Sequence, residues 1–139
     1  MKTSGRSLGV AGATAVGWAL VGALAVRTLG LAVLDIPPEF PPLAGAGPTV
    51  FFTVASGVVA VLVFGALRRT SENYVRLFRW IAVGVLLLSF VPDLWLLSGG
   101  AAEAFPGATP AGVGLLMAMH VAAACGIVWP LTKGEPRRS

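Results

Sequence analysis

The chain has 139 residues and a net charge of +4; only 12% of its residues are charged and, with its 18 glycines included, about 69% are apolar. Soluble domains are about 45–50% apolar and about 25% charged, and small ones leave much of their surface exposed. This composition excludes a soluble domain or a disordered chain and indicates an integral membrane protein. The single cysteine, Cys125, excludes an internal disulfide and a Cys-x-x-Cys pair, and we expect it to be an inert, buried thiol.

Four runs without Asp, Glu, Lys or Arg indicate where the chain crosses the membrane: residues 7–26, 40–67, 80–92 and 104–132. A helix needs about 20 residues to cross a bilayer, so we expect three spans at about 8–28, 48–67 and 111–131. The third run is too short, which favours one helix over about 72–97 that includes Asp93 and is capped by Thr70 or Ser71. The predicted fold is a single all-α domain, residues 1–139, forming a four-helix membrane bundle.

Two connections are predicted on the same side of the membrane. The first, residues 34–48, contains five prolines, which cannot continue a helix and favour a stiff, extended loop. It serves either as a rigid spacer or as a ligand for a partner. The second, residues 98–110, contains several glycines and prolines and predicts a shorter, flexible loop.

The basic residues predict an orientation. With four spans, nine of the ten fall on the side of the termini: Lys2, Arg6, Arg68, Arg69, Arg76, Arg79, Lys133, Arg137 and Arg138. The positive-inside rule then places both termini in the cytoplasm of a multi-pass protein of the cell membrane. These residues are interpreted as topological anchors rather than as a nucleic-acid site. In the alternative, the first span is a signal peptide cleaved near Ala23-Leu24-Ala25.

Small residues recur at four-residue spacing in the first and fourth spans. Such stripes let helix backbones approach closely in a membrane. They predict packing within the bundle or, alternatively, a homo-oligomer formed through these faces in the lipid bilayer. The stripes are Gly9, Ala13 and Gly17; Ala15, Ala19 and Ala23; and Gly114, Ala118, Ala122 and Gly126.

A few polar residues from all four helices are expected in the outer half of the bundle. An ionisable residue within a membrane costs about 2.5–3.5 kcal/mol, so it normally faces the bundle interior and has a partner. By helix rise, we expect His120 to lie near the level of Ser89, one turn below Asp93. The candidate ligand-binding residues are Ser89, Asp93, His120, Arg27 and Ser56.

Two interpretations of Asp93 and His120 remain open. In the functional one, they flank a small pocket and bind a polar ligand or exchange protons, which makes them the candidate catalytic residues. In the structural one, Asp93 pairs with Arg27 or caps backbone groups freed by Pro92, and His120 hydrogen-bonds across helices. No cofactor is expected. No metal site is expected either, because one histidine and one cysteine five residues apart lie on diverging helix faces.

Two segments resemble a known family. Residues 88–94 read Leu-Ser-Phe-Val-Pro-Asp-Leu and residues 116–124 read Leu-Met-Ala-Met-His-Val-Ala-Ala-Ala. In these segments, and over most of its length, the chain resembles a family of short four-helix membrane proteins from actinobacteria, known only as a domain of unknown function. The resemblance implies the same four-helix topology and no established activity.

Three functional hypotheses follow. The first is a small structural or accessory membrane protein, or one that binds a small ligand through its outer polar cluster. The second is a small dimeric, proton-coupled transporter that uses Asp93, by analogy of size with four-helix drug exporters. The third is a membrane-embedded enzyme that uses Asp93 and His120 as an acid–base pair on a lipid-like substrate.

Overall fold

The computed structural model describes residues 7–133 and residue 135. It contains four α-helices, α1 (Leu8–Val33), α2 (Ala46–Thr70), α3 (Tyr74–Trp95) and α4 (Pro110–Thr132), and a 3-10 turn at Gly99–Ala101. Each α-helix is long and apolar enough to cross a membrane. No strand occurs within the described residues. The predicted all-α, four-helix membrane bundle is therefore confirmed. The predicted anchors Lys2, Arg6, Arg137 and Arg138 lie outside the described residues.

Hydroxyl caps define where α1 and α4 begin. The Ser7 hydroxyl accepts the Val10 N–H at 3.3 Å, and the Thr109 hydroxyl accepts the Gly112 N–H at 3.1 Å. Pro110, which has no N–H to satisfy, stands at the first position of α4. Both starts follow from the unpaired N–H groups that every helix leaves in its first turn.

The start of α3 differs from the prediction. Its N-cap is Asn73, and Thr70 and Ser71 belong to the end of α2 instead. The Thr70 hydroxyl donates to the Ala66 carbonyl at 3.0 Å, and the Ser71 N–H donates to the Leu67 carbonyl at 2.9 Å. The predicted Thr70/Ser71 cap is wrong because these groups complete the last turn of α2.

Helices α1 and α4 form the closest helix contact. A Cβ added at Gly126 would lie 2.6 Å from the backbone nitrogen of Ala19, so the two backbones touch there. Gly22 lies against Ala122 and Gly30 against Leu115, which fixes an antiparallel register. By contrast, a Cβ at Gly114 would meet nothing within 4 Å, so only the second half of the predicted α4 stripe takes part in this contact.

Helix α1 packs against α2 and α4, and α3 packs against the same two helices, so α1 and α3 occupy diagonal corners of the bundle. Phe78 and Asp93 are the buried residues of α3, and they lie near its two ends. Near the N-terminal end of α3, Phe78 packs edge-on against Phe64 of α2, with ring centroids 5.0 Å apart. The second contact, through Asp93, is polar.

The two ends of the bundle differ, and we call them the terminal end and the loop end. The terminal end contains residue 7, the α2–α3 turn and residue 133. The loop end contains segments 34–45 and 96–109. There the proline-rich segment is not helical and folds onto the bundle. Phe40 is fully buried and Leu43 is 4% exposed, and both pack with Leu115 and Met119 of α4.

Candidate functional site

The candidate site is a hydrogen-bonded carboxyl–imidazole pair between α3 and α4. Oδ2 of Asp93 lies 2.9 Å from Nδ1 of His120. The Asp93 side chain is only 8% exposed, whereas the His120 side chain is 42% exposed. The structure thus brings together the two residues that were singled out for being ionisable within apolar spans. It buries the carboxylate and leaves the imidazole partly exposed at the junction of the two helices.

The pairing results from unequal helix ends. Asp93 lies two residues, about 3 Å, from the end of α3, and His120 lies ten residues, about 15 Å, from the start of α4. Helix α4 therefore extends further at the loop end, where Gly112 contacts the buried ring of Phe40. The expectation that His120 lies near the level of Ser89 stays a prediction, because the 2.9 Å contact joins the ends of two side chains and does not fix the relative heights of the two backbones.

The two predicted serines are satisfied within their own helices. The Ser89 hydroxyl donates to the Leu86 carbonyl at 2.6 Å, and the Ser56 hydroxyl donates to the Thr53 carbonyl at 3.1 Å. Neither forms a hydrogen bond with Asp93 or His120 within the described part of the chain. The structure therefore assigns them no direct contact with the pair.

Arg27 does not pair with Asp93. Its Nη2 donates to the carbonyl of Leu43 at 2.9 Å, and Asp93 has His120 as its partner instead. The structural alternative of an Arg27–Asp93 ion pair is thereby overturned. The physical reason is that their helices, α1 and α3, are diagonal neighbours.

Thr49 is a polar residue that the sequence did not single out. It is 7% exposed, and its hydroxyl has no hydrogen-bond partner in the structure. It lies on the buried face of α2 with Thr53 and Gly57. The four-residue spacing of these three positions is the pattern that could have revealed it.

The structure places no metal-binding group near the pair. Within residues 7–133 and 135, no three His, Cys, Asp or Glu side chains are arranged to bind a metal ion. Cys125 is exposed on α4, so the expectation of a buried thiol is wrong.

The pair is arranged for polar recognition. Because Nδ1 faces the carboxylate, Nε2 is the ring nitrogen that can bond to another molecule. When only Nδ1 carries a proton, Nε2 accepts a hydrogen bond, and when both nitrogens do, Nε2 donates one. The carboxylate also fixes the orientation of the ring, as a positioned histidine requires.

The chain matches a family model over residues 2–137, which include all four helices and both members of the Asp93–His120 pair. The model is described as a family of unknown function, DUF6069. No curated protein and no solved structure matches the chain. The segments that carried the sequence resemblance are the end of α3 and the middle of α4, which meet at the pair. This multi-pass membrane protein of unestablished activity, with four helices, belongs to the family of unknown function DUF6069.

Proposed function

We propose that this protein binds the polar end of a small amphiphilic ligand at Asp93 and His120. The supporting observation is a buried carboxylate that orients a half-exposed imidazole between two membrane-spanning helices. Asp93 positions the ring, and Nε2 of His120 contacts the ligand. The protein acts in the cell membrane with both termini in the cytoplasm, as the basic residues of the terminal end favour.

The exposure of His120 favours ligand binding over a purely structural clamp. An ionisable residue within a membrane normally faces the bundle interior because its exposure to hydrocarbon is unfavourable. A clamp between α3 and α4 needs only the Nδ1–carboxylate bond and is most stable with both side chains covered. His120 instead keeps 42% of its side chain exposed. A ligand hydroxyl, amide or acid group that bonds to Nε2 satisfies the remaining hydrogen-bonding capacity of the imidazole.

The surroundings of the pair suit an amphiphile. Leu94, which follows Asp93 on α3, is 55% exposed, and Val121, which follows His120 on α4, is 41% exposed, so both helices that carry the pair also expose apolar side chains. The alkyl part of a ligand can lie on this surface while its polar end reaches His120. Proton-coupled transport and acid–base catalysis on a lipid-like substrate both begin with such a binding step, and they are the alternative hypotheses.

The test is binding of three probes with the same alkyl chain, dodecanol, dodecanoate and dodecylamine, to protein in phosphatidylcholine nanodiscs. Trp95, two residues after Asp93, reports binding by its fluorescence. We expect saturable binding of at least one probe and at least tenfold weaker binding in His120→Phe. Asp93→Asn is expected to weaken it less, because an amide can still orient the ring.

Ser56→Ala is the matched control, since that serine is exposed and is bonded within its own helix. It is expected to bind as the wild type does. Circular dichroism and size-exclusion chromatography check that each variant folds. Unchanged affinity in a folded His120→Phe protein contradicts the proposal, as does the absence of binding for all three probes.

A further inference from the structure

A second group of buried polar atoms lies towards the loop end, separate from the Asp93–His120 pair. Its first member is Arg27 of α1, whose Nη2 donates to the Leu43 carbonyl, while its Nε is buried and has no hydrogen-bond partner among the described residues. A guanidinium has five N–H donors, and this contact uses one of them. Within the described part of the chain, Arg27 belongs neither to the Arg68–Glu135 ion pair nor to the Asp93–His120 pair.

Thr49 of α2 is the second member. The residue is more than nine-tenths buried, and within residues 7–133 and 135 its hydroxyl has no hydrogen-bond partner. Buried hydroxyls are almost always hydrogen-bonded, because desolvation is otherwise uncompensated. The unbonded hydroxyl of Thr49 therefore calls for a specific explanation.

The helix register places the two residues close together. Val16 of α1 lies against Gly57 of α2, and Gly12 of α1 lies against Val61 of α2. The two helices are therefore antiparallel and keep the same register between these contacts. Continuing this register by two turns places Thr49 opposite position 24 of α1. Thr49 is then offset from Arg27 by three residues, or about 4.5 Å along the axis. The arginine side chain is long enough to cover this offset.

The loop end shields these groups from water. Phe40 is fully buried and Leu43 is 4% exposed, so segment 34–45 folds over this end of α1 and α4. Arg27 is half-buried, and its buried Nε has lost contact with water without gaining a hydrogen bond, which is unfavourable. An anion that accepts several hydrogen bonds removes this imbalance.

We propose that Arg27 and Thr49 bind a phosphate group, either as a free anion or as the headgroup of a lipid. The side-on edge of the guanidinium, Nε with Nη2, matches two oxygens of a tetrahedral oxyanion. The Thr49 hydroxyl donates to a third oxygen. The Leu43 carbonyl holds the guanidinium in place. This site does not depend on ligand binding at His120.

The experiment uses the full chain in maltoside detergent, which contains no phosphate. Inorganic phosphate and dioleoyl phosphatidate are titrated separately, with dioleoylglycerol as the lipid that lacks phosphate. Native mass spectrometry and the shift in Tm measure binding. We expect saturable binding of phosphate, phosphatidate or both, and none of dioleoylglycerol. Phosphatidate alone identifies a lipid headgroup, and competition by inorganic phosphate identifies a free anion as a ligand.

Four variants test the residues. Arg27→Gln is expected to weaken binding at least tenfold. Arg27→Lys is expected to weaken it severalfold, because an ammonium group lacks the two adjacent N–H donors of a guanidinium. Thr49→Val is expected to weaken binding about threefold while keeping the shape of the side chain. Arg69→Gln, an exposed arginine at the terminal end, is the matched control and is expected to bind as the wild type does.

Several results overturn the proposal. It fails if neither phosphate compound binds saturably, if dioleoylglycerol binds as well as phosphatidate, or if Arg69→Gln loses binding as much as Arg27→Gln. If Arg27→Gln does not fold, Thr49→Val decides, since unchanged affinity in that variant excludes the hydroxyl from the site. Loss of probe binding in His120→Phe leaves this outcome unaffected, so the two proposals fail independently.

Discussion

Three charged or polar side chains at the terminal end of the bundle, those of Arg68, Arg79 and Tyr74, bond to other side chains, whereas two groups at the loop end are buried without a partner among the described residues. At the terminal end, Arg68 lies 3.8 Å from Glu135, and Arg79 donates to the Thr132 hydroxyl at 3.1 Å. Tyr74 also donates to Glu135. The side chain of Arg68 remains 35% exposed, so its charge is not taken far from water.

At the loop end, some polar atoms are buried and unbonded. Asp93 is buried against His120, and Thr49 and the Nε of Arg27 are buried without partners. A residue that only anchors a helix end needs to reach the polar surface, as the basic residues of the terminal end do. Polar groups kept inside the loop end destabilise the fold unless something binds them. The difference therefore locates the functional hypotheses at the loop end.

The largest effect is expected from disrupting the α1–α4 contact, which supports both ends of the bundle. Gly126→Leu inserts a side chain where even a Cβ would lie 2.6 Å from the Ala19 backbone, so α1 and α4 must separate. We expect the free energy of unfolding to fall by about 3 kcal/mol or more. Gly114→Leu, on the same helix with nothing within 4 Å of its Cβ position, is the control. Unfolding in dodecyl sulfate and maltoside mixtures measures both, and equal losses contradict the observed α1–α4 contact.

An intermediate effect is expected at the loop end. His120→Leu leaves the Asp93 carboxylate buried without its partner, which lowers the free energy of unfolding by about 2–3 kcal/mol. Replacing both residues by leucine removes the unpaired carboxylate, so the double variant is expected to recover most of this loss. The same unfolding assay gives the coupling energy from the double-mutant cycle. A double variant that has lost as much as the two single variants together shows that the side chains are not coupled.

The smallest effect is expected at the terminal end. Arg68→Gln removes a partly exposed ion pair with Glu135, and such pairs contribute about 0–1 kcal/mol to stability. The loss is expected to shrink further as salt is added, because exposed charges are screened. Unfolding of Arg68→Gln and of the Arg69→Gln control at low and high salt provides the measurement. A loss as large as that of His120→Leu removes the contrast between the two ends.

Much of the fold was predictable because the hydrocarbon core of a membrane restricts both the composition and the length of the segments that cross it. Charged residues are excluded from the spans, and about 20 apolar residues are needed to cross, so the charge-free runs located the helices. The start of α3 was mispredicted because Thr70 and Ser71 can serve either helix. Which one they join depends on the α2–α3 turn, and local sequence does not specify that turn.

The candidate site was predictable in part. Asp93 and His120 stood out because an ionisable residue within an apolar span is costly and rare. Their hydrogen bond to each other was not predictable from helix rise alone, because it also depends on which face each helix turns towards the other. Thr49 was missed because a threonine within a helix is unremarkable until its burial is known.

The sequence by itself determined that the chain crosses a membrane with four helices and which polar residues lie within them. These properties depend on the composition of each segment and on the unfavourable transfer of charge into hydrocarbon. Only the tertiary structure decided that Asp93 meets His120 rather than Arg27, and that Arg27 meets the carbonyl of Leu43. These choices depend on helix register and on the folded loop, which result from side-chain packing between segments distant in the chain.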